Sequence, residues 1–119
     1  MKKIWIISAV ILMFSSCYYD KEEALYLGNI PCDTSNVRYS VQVVQILNQY
    51  CISCHSAAAP SGGVPLETYE QVKTYTLNGQ LLRSVKHTGP SPMPQNAPKL
   101  SDCKISTLEL WFNAGCPNN

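Results

Sequence analysis

Near the middle of the chain Cys51 and Cys54 stand two residues apart and are followed at once by His55, a spacing that restricts a small fold severely. Two thiols so placed lie on one helical turn. Each can add across a vinyl group of a single porphyrin, while the adjoining histidine is carried under the iron as an axial ligand. The pattern C-x-x-C-H therefore reads as an attachment site for a covalent haem c. Two other uses of the pair are poorly served. A structural zinc would want a second pair of ligands and a thioredoxin-like redox site would want a β–α–β pattern, and neither is found.

The start of the chain supplies an address. Lys2 and Lys3 lead into the apolar run Ile4 to Phe14, and Ser15, Ser16 and Cys17 follow. A charged start, a short apolar stretch and small residues make residues 1–16 a secretory signal, too short to span a bilayer as a stable helix. The Ser-Ser-Cys ending looks like a lipobox, in which cleavage before Cys17 leaves that residue lipidated as the new N-terminus. Phe14 departs from the smaller aliphatic residue usual at its position, and the alternative is an ordinary signal peptide with Cys17 as a leftover thiol. The expected location is the cell envelope, membrane-anchored through the lipid and facing the periplasm or the outer surface. In that oxidising compartment the remaining cysteines are expected in disulfides.

A chain of 119 residues suffices for one small domain. Only 14% of residues are charged and the formal net charge is +1, so no field points to nucleic acid or to a polybasic membrane patch. Residues 17–40 read as lipid anchor and tether, with Asp20, Glu22 and Glu23 as a solvated patch. Tyr26, Leu27, Ile30 and Tyr39 are too apolar for a free linker, so the second half of the tether is expected to lie on the domain.

The domain itself, residues 41–119, is expected to be all-α. Ser40 is the expected N-cap of a helix running toward Gln49, with Val41, Val44, Leu47 and Tyr50 on its inner face, widened by Val43 and Ile46; it delivers Cys51. The run Ala57 to Gly63 is a turn that lets the backbone approach a flat cofactor. Leu66, Tyr69, Val72 and Tyr75 predict a short helix begun near Glu67 or Thr68, and a second covers Gly79 to Lys86 with Leu81, Leu82 and Val85 as core. Four prolines make His87 to Leu100 a stiff loop. Ser101 is the expected cap of a last helix from Asp102 to about Ala114, with Ile105, Leu108, Trp111 and Phe112 inward, Gly115 as C-cap and Pro117 as stop.

An iron held by His55 needs a second axial ligand, a water or an open position on its other side. Met93 is the candidate: it is the only methionine after the signal, and Pro92 and Pro94 stiffen the loop that carries it. A soft thioether favours ferrous iron and raises the potential relative to two histidines. His87 competes as a ligand, as a hydrogen-bond donor to a haem propionate or as a surface histidine. Arg83 and Lys86 could meet propionates or an acidic partner, but an ordinary solvated face is the expected reading.

With Cys17, Cys51 and Cys54 assigned, Cys32, Cys103 and Cys116 are left, an odd number. Cys103 and Cys116 would lie about 20 Å apart at opposite ends of the last helix, beyond the ~7 Å that a disulfide tolerates. Cys32 then belongs to whichever bridge forms, and Cys103 is the favoured partner.

Taken together, Pro31-Cys32-Asp33-Thr34, Cys51 to His55, Gly62-Gly63-Val64, Ser91-Pro92-Met93-Pro94, Leu100-Ser101-Asp102-Cys103 and the ending from Trp111 to Asn119 make the chain resemble small mono-haem class I cytochrome c domains, specifically the lipoprotein cytochromes c of Bacteroidetes. The resemblance covers the whole chain after the signal. It implies a class I cytochrome c-like fold, three to four short helices wrapped around one covalent haem c, with His55 proximal and Met93 distal. Cys116 departs from the alanine expected at its position. The function so implied is a single-electron carrier with redox-protein partners and no enzymatic reaction of its own. The alternatives are a haem-based sensor or a peroxidase-like enzyme with an open distal position.

Overall fold

Tyr39, Val43, Ile46, Leu47 and Tyr50 recur at steps of three and four residues, and along that stripe the chain first buries itself. The computed structural model describes residues 32–119, which cluster as one unit; the expected signal, the lipidation site Cys17 and the tether as far as Pro31 lie outside the described residues. The unit thus takes in residues 32–40, which the sequence reading assigned to the tether.

The first helical segment opens with a wide turn of π geometry, Tyr39–Val43, and continues as α1, Val44–Tyr50. Ser40 is not its cap. Arg38 holds that position and no side chain caps from it. Instead Gln42 folds back, its Oε1 accepting the Arg38 N–H at 2.9 Å and its Nε2 donating to the Asn36 carbonyl at 3.1 Å. The far end of the chain satisfies the next two donors: Asn119 accepts the Tyr39 N–H on Oδ1 at 2.8 Å and the Ser40 N–H on its carbonyl at 2.9 Å. With Tyr39 and Val43 buried by this turn, Val41, expected inward, is left 51% exposed.

At Cys51 the backbone leaves helical geometry (φ −121°) and a four-residue helix, α2, follows over Ile52–His55. This break makes five α-helices among the described residues where three to four were expected. Helix α3 spans Tyr69–Leu77 and begins with a capping box: Thr68 Oγ1 accepts the Gln71 N–H at 3.4 Å, and Gln71 Oε1 accepts the Thr68 N–H at 3.0 Å. Gly79, at φ 76°, turns the chain into α4, Gln80–Val85. The last helix, α5, spans Asp102–Asn113. Ser101 occupies its N-cap position without a side-chain bond, whereas Asp102 puts a negative charge in the first turn. At the other end the Gly115 N–H donates to the Phe112 carbonyl at 2.9 Å and the Cys116 N–H to that of Trp111 at 3.0 Å, a Schellman closure with Gly115 in the left-handed region.

The described residues contain helices and turns and no strand. Val43, Val72, Leu108 and Trp111, each at most 2% exposed, anchor a core to which Leu66, Leu81, Val85, Leu100 and Ile105 also belong. Cys32 is joined to Cys103 across 71 residues of sequence, fastening the entering chain to the first turn of α5; on chain entropy alone such a closure contributes about 4 kcal/mol. Cys116 is free and buried. Among the described residues no helix is long and apolar enough to cross a membrane.

Asn119→Ala removes the side-chain acceptor of the opening turn while leaving the backbone acceptor. The expected cost is about 1 kcal/mol, seen as a fall of roughly 4–8 °C in the thermal midpoint of a domain this size. An unchanged midpoint would show that the Asn119 side chain does not hold the opening turn.

Candidate functional site

Helix α1 delivers Cys51, whose N–H still donates to the Leu47 carbonyl at 2.8 Å. Beyond the break, the N–H groups of Cys54 and His55 both donate to the Cys51 carbonyl, at 3.1 and 3.0 Å. One acceptor thus gathers both thiols and the imidazole onto a single tight turn. Neither thiol is in a disulfide; Cys51 is half-buried and Cys54 exposed. Burial pushes the Cys51 thiol up to about 11.

The imidazole of His55 is oriented by the loop that follows it. Its Nδ1 lies 2.8 Å from the Val64 carbonyl oxygen. A carbonyl can only accept, so the proton sits on Nδ1 and the Nε2 lone pair is left for a ligand bond. The loop is built to present that carbonyl. Gly62 and Gly63 adopt φ 61° and 70°, and a turn closes with the Gly63 N–H on the Pro60 carbonyl (3.0 Å) and the Val64 N–H on that of Ser61 (3.2 Å). A Cβ at either glycine would meet nothing within 4 Å in the chain, so it is the left-handed backbone that calls for glycine. Two bonds shut the base of the loop: the Leu66 N–H donates to the His55 carbonyl at 2.8 Å and the Ala57 N–H to Glu67 Oε2 at 2.6 Å.

Met93 is half-buried on the segment between α4 and α5. Its N–H donates to the Ser84 carbonyl at 3.0 Å, and its own carbonyl lies 3.0 Å from His87 Nε2. His87 is therefore engaged with the loop that carries Met93. Lys86 is paired with Glu109, and Arg83 reaches the Asn78 carbonyl at 3.5 Å. These residues form two groups: Cys51, Cys54 and His55 on the α2 turn, and Met93, His87 and Ser84 at the end of α4. Sequence reasoning overlooked Val64 and Glu67, the supports of His55. The glycine pair before Val64 was the available signal for the turn, while nothing marked Glu67 apart from other surface acids.

No three His, Cys, Asp or Glu side chains among the described residues gather into a cluster able to hold a metal ion unaided. Set beside known proteins, the chain matches no protein-family model, no curated sequence and no solved structure.

In protein with both thiols free, iodoacetamide at pH 8 is expected to modify exposed Cys54 well before Cys51. A raised thiol ionises late: at pH 8 only about one Cys51 in a thousand is thiolate, and its labelling rate should climb until pH passes about 11. Peptide mapping by mass reads both rates. Equal labelling of the two cysteines at pH 8 would show that Cys51 is not shielded.

Proposed function

We propose that the chain is a class I c-type cytochrome, an envelope-anchored lipoprotein that carries single electrons through one covalent haem. The observation that carries this reading is the α2 turn, where two unpaired thiols flank an imidazole whose Nδ1 proton is committed to the Val64 carbonyl. That donor set fits a haem. Cys51 and Cys54 supply the two sulfurs for thioether bonds, and His55 supplies one basic nitrogen; a porphyrin brings the remaining nitrogen ligands, so the protein needs no further cluster of its own. When bound, the haem supplies the one-electron couple of its iron.

The residues of the chain have distinct tasks in this reading. Val64 fixes the His55 tautomer and ring plane, as outer-shell acceptors do for ligating histidines. Met93 is assigned as the distal ligand, on a segment whose prolines limit the conformations open to it. Cys17, outside the described residues, is assigned the lipid that tethers the carrier in the envelope, where its partners would be redox proteins.

The test is an absorption spectrum of the full-length protein made with haem-attachment machinery, oxidised and reduced, for wild type and Met93→Ala. Wild type should show a c-type reduced spectrum and a ferric methionine-to-iron charge-transfer band. The variant should keep the haem, lose the band and shift in potential downward by on the order of 0.1 V, within the ~0.8 V that axial ligands command. A haem-loaded wild type that lacks the band and takes up carbon monoxide readily would overturn the carrier in favour of a sensor or an enzyme.

A further inference from the structure

Between Ser91 and Gln95 only one backbone N–H exists, because Pro92 and Pro94 have none. That donor, on Met93, is spent on the Ser84 carbonyl at 3.0 Å. The single remaining hold on the Met93 peptide is at its carbonyl, where His87 Nε2 stands 3.0 Å away. Ser84 ties the two residues together, since its carbonyl also accepts the His87 N–H at 3.1 Å. The Met93 backbone is thus gripped on one side by Ser84 in the last turn of α4 and on the other by His87 just beyond it.

The backbone of His87 supports a purpose for its side chain. It sits at φ 57°, in the left-handed region that few residues other than glycine enter, although histidine does so more readily than most. Two further bonds tighten the same corner, the Thr88 N–H donating to the Arg83 carbonyl at 3.0 Å and the Gly89 N–H to the same oxygen at 3.3 Å. The turn could be made without an imidazole. What the imidazole adds is the donor that reaches Met93.

We infer that His87 is the positioning residue of the distal ligand: its Nε2–H holds the Met93 carbonyl, and through it the thioether, in place to bind iron. His87 is neither a ligand itself nor a free surface histidine in this assignment. The inference rests on the proposed His55/Met93 ligation.

The experiment uses full-length, haem-loaded protein and three forms: wild type, His87→Gly and His87→Gln. Glycine relieves the left-handed backbone while removing the donor, so this variant has no steric reason to misfold. Glutamine places an amide N–H at a similar reach and should rescue the donor. Two quantities are read in the ferric state, the methionine-to-iron charge-transfer band and the rate of cyanide binding, which requires Met93 to leave. His87→Gly is expected to weaken the band and speed cyanide binding about five- to tenfold, the loosening that loss of one hydrogen bond implies. His87→Gln should return to within about twofold of wild type. If wild type shows the band and His87→Gly matches it in band and rate, the role of His87 is overturned and the ligation stands. If wild type lacks the band, the ligation falls and the assignment falls with it.

Discussion

The rings of Tyr39, Tyr69 and Trp111 meet between the opening turn, α3 and α5, and the path of the chain into the Cys51 turn depends on that meeting. Tyr39 packs edge-on to Tyr69, with centroids 5.1 Å apart, and lies tilted against Trp111 at 5.3 Å. Such pairs contribute roughly 0.5–1.5 kcal/mol each beyond the area they bury. The polar tips are satisfied by the C-terminal tail, Tyr69 Oη donating to the Cys116 carbonyl at 2.8 Å and Trp111 Nε1 to that of Pro117 at 2.9 Å. One cluster therefore joins the opening turn, α3, α5 and the chain end. Because α1 continues directly from the opening turn, this cluster also sets the direction in which Cys51 emerges.

How much of this could be read in the sequence depended on where each element finds its partners. Helix α3 was legible to within a residue because its start signal, Thr68 with Gln71, is local and self-contained. Gly115 marked its turn for the same reason: a left-handed backbone asks for glycine whatever surrounds it. Gly79, expected as the first residue of a helix, instead lies in the left-handed region just before it. The opening turn was misread because its donors are met by Gln42 and by Asn119, the latter 80 residues away, and neither follows a capping pattern. Ser101 shows the reverse error, a residue of the right type at the right position whose hydroxyl makes no capping bond.

At the candidate site the residue types and their spacing were legible and their supports were not. Cys51, Cys54 and His55 announce themselves by spacing, since the reaction they suit fixes the residue types as well as their separation. Their supports carry no such signature. His55 leans on the carbonyl of Val64 and His87 reaches the carbonyl of Met93, and a backbone acceptor belongs to every residue alike. Only the loop geometry, supplied by Gly62 and Gly63 in one case and by the prolines in the other, hinted that a carbonyl was being aimed.

The two groups at the site are held with unequal strength, and the inequality has a direction. On the His55 side the loop is closed by the Leu66 and Ala57 N–H bonds as well as by the imidazole, and thioethers at Cys51 and Cys54 would add covalent attachment beside the ligand. Among the described residues the Met93 peptide is held by two hydrogen bonds, between prolines that donate none. Proline stiffness narrows the conformations of that loop without fastening it to the domain. If the proposed His55/Met93 pair holds a haem, the Met93 side would be the weaker support and the His55 side, with its loop closed by further bonds, the firmer one.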